Sequence, residues 1–147
     1  MRLAAMLLPA VLLPAGGCAY HDARLAATAE TSLVGLSVAD LDMCAGLPTK
    51  SERIDGQTEM RSYERNVSTN SGVNITFPVI GGGANIGNGG YCHATFKLVD
   101  GQVAALSYAG DTAVAGADDA VCAPIVRTCV ERQAEHPDAA RAVASRR

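Results

Sequence analysis

The stretch Tyr91–Ala109 places the strongest constraint on what this chain can become. In Tyr91–Val99 the residues Cys92, Ala94, Phe96 and Leu98 fall on one face of an extended chain, and Tyr91, His93, Thr95 and Lys97 fall on the other. That period of two sets one face against a core and leaves the other in water. Asp100-Gly101 follows, a dipeptide suited to a tight hairpin, so Gln102–Ala109 is predicted to return as the partner strand. An antiparallel sheet with one apolar face requires a second layer to cover it.

Two helices are predicted for that layer. Ser37-Val38-Ala39-Asp40 resembles a capping box in which Asp takes the place of Glu or Gln. Val38, Leu41, Cys44 and Ala45 mark one helical face, and Gly46 with Pro48 closes the segment. Near the other end, Asp118 and Asp119 suit a helix N-terminus. Pro124 sets the regular helix near Ala123, Val126, Cys129, Val130 and Gln133 continue it, and His136-Pro137 ends it. Between the helices, Lys50–Thr58 is polar and carries the turn signal Asp55-Gly56. Glu59–Asn66 reads as a strand of poor alternation and Val73–Ile80 as another, while Gly81–Gly90 reads as an open loop. The order predicts an α+β, two-layer sandwich: short helices on a roughly three-stranded antiparallel sheet, with an additional C-terminal helix.

The start of the chain points to export. Met1-Arg2 and an apolar stretch through Leu13-Pro14 lead to the small residues Ala15-Gly16-Gly17, immediately before Cys18. The stretch is shorter than the ~20 residues that span a bilayer. A cysteine just after small residues resembles a bacterial lipobox, whose thiol is lipidated and becomes residue one of the mature protein. Residues 1–17 are therefore expected to be a lipoprotein signal peptide, and Cys18 the lipid anchor. Residues 18–35 would form a tether and N-terminal helical lead (Ala19–Ala29 reading as tether or frayed helix), 36–133 the α+β domain, and 134–147 a mobile charged tail.

Cys44, Cys92, Cys122 and Cys129 then form an even set in an oxidising compartment, which predicts two disulfides with three connectivities to choose among. On one continuous helix Cys122 and Cys129 would stand about 10.5 Å apart along the axis, beyond the ~7 Å reach of a disulfide. Cys44 and Cys92 are each expected to take one cysteine of the last helical segment. Cys44–Cys92 with Cys122–Cys129 is the alternative.

Composition and motifs narrow the function classes. Losing Arg2 with the leader leaves 11 basic against 15 acidic side chains, with no basic stripe to collect nucleic acid phosphates. Gly81–Gly87 fits neither a dinucleotide fingerprint nor a phosphate loop, so no nucleotide is expected. Cys92 and His93 are adjacent on a strand and point to opposite faces, so they cannot share a proton. His21 and His136 are not placed to activate anything. No catalytic residue, metal site or cofactor is predicted.

In order along the chain, Leu36-Ser37-Val38-Ala39-Asp40-Leu41, Gly46-Leu47-Pro48-Thr49, Met60-Arg61-Ser62-Tyr63, and Cys92-His93-Ala94-Thr95-Phe96 with Asp100-Gly101-Gln102-Val103 resemble the sequence motifs of the SmpA/OmlA (BamE-like) outer-membrane lipoproteins. The resemblance covers roughly Leu36–Gly110. It implies two short helices on a three-stranded antiparallel sheet and a non-enzymatic scaffolding role at the outer membrane. Ala19 after the anchoring cysteine is similar to the enteric pattern for outer-membrane delivery, facing the periplasm. The expected partners are the bilayer, through acylated Cys18, and another envelope protein meeting His93, Thr95 and Lys97 on the wet sheet face. The alternative reading is a secreted or periplasmic inhibitor or small-ligand-binding module.

Overall fold

A computed structural model describes residues 17–67, 73–77, 82–86 and 90–135. Among the described residues three α-helices, α1 (Gly17–Ser32), α2 (Val38–Ala45) and α3 (Ala123–Glu135), accompany six strands. The strands are β1 (Lys50–Arg53), β2 (Thr58–Val67), β3 (Val73–Phe77), β4 (Gly82–Ile86), β5 (Gly90–Val99) and β6 (Gln102–Ala109). β1-β2-β5-β6 form an open antiparallel sheet in that order, and β3 and β4 pair as a separate two-stranded hairpin. The molecule is thus an α+β fold with a C-terminal helix.

Alternation in β5 produces the buried face. Cys92, Ala94, Phe96 and Leu98 are all buried, and Val103 and Leu106 of β6 extend the same face. Leu33 after α1, Leu41 of α2 and Val126 of α3 complete the core with Ala26 and Ala29. The ring of Tyr63 from β2 meets Phe96 edge-on, with centroids 5.5 Å apart. Two side chains without bulk, Ala26 and Ala29, are fully buried in α1, which lets α1 lie close beside α3.

The hairpin between β5 and β6 turns on Asp100 (φ 51°) and Gly101 (φ 75°). Both are left-handed, as a type I′ turn requires. Lys97 pairs with Ala105 and Leu98 with Val103, so Ala104 is a bulge residue. Ser37 caps α2 by accepting from the Asp40 N–H at 3.2 Å, and its own hydroxyl donates to the Asp40 carboxylate at 2.6 Å. Gly110 (φ 117°) lies against β5. A Cβ there would stand 2.5 Å from the Tyr91 carbonyl oxygen, so no other residue fits without displacement.

Of the two readings of Ala19–Ala29, tether or frayed helix, the structure shows a helix, of 16 residues; its buried face is built of alanine, which gives a weak periodic signal. Three elements differ from the sequence reading. Lys50–Arg53 is a strand, making the sheet four-stranded rather than three-stranded. Every residue of β1 is exposed, so no alternation marks it. The glycine-rich segment expected to be an open loop contains β4, which pairs with β3 from Gly82↔Phe77 to Ile86↔Val73. Backbone hydrogen bonds define such a pair, and glycines leave little side-chain pattern to read. Finally, α3 reaches Glu135 and so takes in the first two residues of the expected tail. Residues 136–147, including His136, lie outside the described residues, as do the leader residues 1–16.

Candidate functional site

The two disulfides position everything else. Cys44 of α2 joins Cys129 of α3 with Cα atoms 5.0 Å apart, and Cys92 of β5 joins Cys122, in the single 3-10 turn before α3, at 5.3 Å. The C-terminal segment is therefore fastened once to the helical layer and once to the sheet. The alternative of Cys44–Cys92 with Cys122–Cys129 is excluded in this structure. Among the described residues Cys18 is the remaining free cysteine; it is exposed in the first turn of α1.

His93, Thr95 and Lys97 stand on the face of β5 opposite the core residues, in three rows that cross the sheet. Glu64, His93 and Ala109 make one row, and Lys50, Ser62, Thr95 and Ser107 the next. Glu52, Met60, Lys97 and Ala105 make the third. Side chains along a row are direct cross-strand neighbours. The Tyr91 hydroxyl lies 3.2 Å from His93 Nδ1, while His93 Nε2 is 3.9 Å from a Glu64 carboxylate oxygen. Ser62 and Thr95 hydroxyls approach within 3.4 Å. Lys97 is exposed, whereas His93 and Thr95 are half-buried by these neighbours. The face thus offers hydrogen-bond donors and acceptors and charges of both signs.

A second polar group lies on the other side of the sheet and was not foreseen. Arg61 Nη1 donates to both carboxylate oxygens of Asp42 in α2, at 2.5 and 2.7 Å. Its Nε donates to Glu59 at 2.7 Å, and the Ser51 hydroxyl donates to the same Glu59 oxygen at 2.6 Å. The Tyr63 hydroxyl donates to Asp42 at 3.2 Å. The Asp42 carboxylate raises the Arg61 pKa, and hydrogen bonds from Ser51 and then Arg61 hold Glu59 below its ordinary value. Burial, then the nearby Asp42 charge, pushes Tyr63 up to about 12. Arg61 pairs with Phe96 and so occupies a core-facing position. A charge at that parity is the signal behind β2's poor alternation, and it could have pointed to a partner carboxylate on the covering helix. These groups bind one another, which makes the cluster a brace between α2 and the sheet.

A groove of about 430 Å³ runs beside the Cys44–Cys129 bridge, lined by Leu36, Asp40, Arg132 and Gln133 among others. Among the described residues, no three His, Cys, Asp or Glu side chains converge as metal ligands. No helix among them is long and apolar enough to cross a membrane. The chain has no match among protein-family models, curated proteins or solved structures.

Proposed function

We propose that the chain is a non-catalytic lipoprotein of a bacterial cell envelope, held by an acyl group on Cys18, that grips another envelope protein through the open face of its sheet. One observation carries the reading: four of five cysteines are consumed in two bridges, and the fifth stands exposed at the start of α1. Bridges of this kind persist in oxidising compartments. A lone thiol just after an apolar leader is the substrate expected of lipoprotein maturation. The resemblance of the ordered motifs to those of SmpA/OmlA (BamE-like) lipoproteins supports a scaffolding role at the outer membrane, facing the periplasm. His93, Thr95 and Lys97 are the residues assigned to the partner, and no cofactor is assigned.

The test combines acylation and capture. Peptide mass mapping is expected to place a diacylglyceryl group on Cys18, and Cys18→Ser is expected to move the protein from the detergent phase to the aqueous phase. A photo-crosslinking residue at Thr95 should capture components of an outer-membrane assembly complex. An unmodified Cys18 thiol overturns the anchor, and a stoichiometric complex with a soluble hydrolase would establish an inhibitor instead.

A further inference from the structure

The two bridges differ in what surrounds them. Cys92 and Cys122 are both fully buried, between β5 and the turn before α3. Cys44 is only half-buried, and it lines the groove of about 430 Å³ together with Cys129. A thiolate can attack a disulfide that borders solvent, whereas one enclosed by the core waits for the fold to open. The groove's volume is in the range of small-molecule sites. Its walls carry charge beside the bridge. On α2, Asp40 stands four residues before Cys44; on α3, Arg132 and Gln133 follow Cys129 by three and four. Those spacings put each side chain one turn from its cysteine on the same helix face. All three line the groove, as does Glu135 at the end of α3. Ser37 occupies Asp40 Oδ2, while Arg132 and Glu135 are exposed and enter no ion pair among the described residues.

From this arrangement we infer that the groove is a thiol-exchange site, in which a small zwitterionic thiol of the cysteine class opens the Cys44–Cys129 bridge. Arg132 takes the carboxylate of the incoming molecule, and Asp40 and Glu135 take its ammonium group. The thiolate attacks Sγ of Cys44, the more exposed of the two cysteines. A bond forms between the incoming sulfur and Cys44 Sγ as the bond to Cys129 Sγ breaks. Cys129 leaves with the electron pair and takes a proton from water. The exchange is redox-neutral, and attack by the Cys129 thiolate on Cys44 reverses it and expels the small thiol. In the mixed disulfide, α3 keeps its covalent tie to the sheet through Cys92–Cys122 and loses the one to α2. None of this needs an acyl group on Cys18 or the partner face of β5.

The test uses the folded full chain carrying Cys18→Ser, so that every remaining cysteine starts in a bridge. The protein is treated with cysteine near the ordinary thiol pKa, quenched with acid, alkylated and peptide-mapped. The expected product carries cysteine on Cys44, an alkylated Cys129 and an intact Cys92–Cys122 bridge. Cysteamine, a similar thiol without the carboxylate, should react about fivefold more slowly, the scale of an exposed ion pair. Arg132→Gln should bring the two rates together, and Arg132→Lys should restore most of the difference; circular dichroism confirms that each variant is folded. The comparison of cysteine with cysteamine needs no Arg132 variant, so it stands even if one fails to fold. Equal rates for the two thiols overturn the inference. So does an absence of adduct on Cys44, opening of Cys92–Cys122 first or at the same time, or a preference for cysteine that survives Arg132→Gln.

Discussion

Arg61 occupies a core-facing position of β2, across from Phe96, and keeps its charge there because Asp42 and Glu59 both meet it. Replacing it with alanine would leave the Asp42 carboxylate without its bidentate partner. The side chains are about a fifth to a third exposed, so solvent screens part of the loss, and the expected cost is roughly 1–2 kcal/mol in a denaturant melt. Tyr108 makes a second isolated bond, donating to the Ala26 carbonyl of α1 at 3.0 Å. Tyr108→Phe should cost about 1 kcal/mol. The two tyrosines also set the alkaline limit. Burial is the largest cause raising both Tyr63, to about 12, and Tyr108 above their ordinary value of 10. Groups whose pKa rises on folding contribute stability in full below the unfolded value and lose it as pH climbs through the folded one. Stability should therefore fall from about pH 10 upward, with Tyr108→Phe flattening that limb; melts at pH 9, 10 and 11 would check it. Glu59 acts in the opposite sense. Lowered from 4.5, it stabilises above that value, and the contribution fades as pH drops through its folded pKa. The sequence carried a trace of this brace in the charge that interrupts β2. Its partner was invisible, because Asp42 lies 19 residues away and only the fold brings it close.

Secondary-structure elements were legible where their side chains alternate or cap, and silent elsewhere. β5, its turn and β6 followed from period two and Asp-Gly, and α2 from Ser37 and Gly46, since in both cases residue type and backbone conformation are physically linked. β1 has no buried face, β4 is rich in glycine, and α1 buries mainly alanine, so none of them writes a pattern strong enough to read. The bridges were legible as a rule of reach: the spacing of Cys122 and Cys129 argued against their joining, although which of the two goes to Cys44 depends on packing. The bridges close loops with separations of 85 and 30 residues. Chain entropy assigns about 4.6 and 3.6 kcal/mol to such loops, so removing Cys44–Cys129 by paired serines should cost about 1 kcal/mol more than removing Cys92–Cys122. Urea melts of the two double variants would show the order. Equal costs, or the reverse order, would mean that packing around buried Cys92 outweighs loop length.

For the molecule as a whole, the bridges substitute for a larger core. Among the described residues Phe96 is the largest fully buried side chain, with no tryptophan in the sequence and small residues making up much of the rest of the core. A domain of this size is stable by about 5–15 kcal/mol, of which two bridges supply a large part. Reduction of both should unfold the chain near physiological temperature, seen as loss of circular dichroism in excess dithiothreitol; a native spectrum under those conditions would refute it. Helix α1 carries a mechanical corollary. It begins at Gly17 and is clamped to α3 by Arg127, whose Nη2 donates to Asp22 at 2.8 Å. An acyl chain on Cys18 would consequently attach to a rigid spar with almost no slack. The body would ride flush with the headgroups, its height and tilt dictated by the spar, and any protein it meets would have to come down to the bilayer surface.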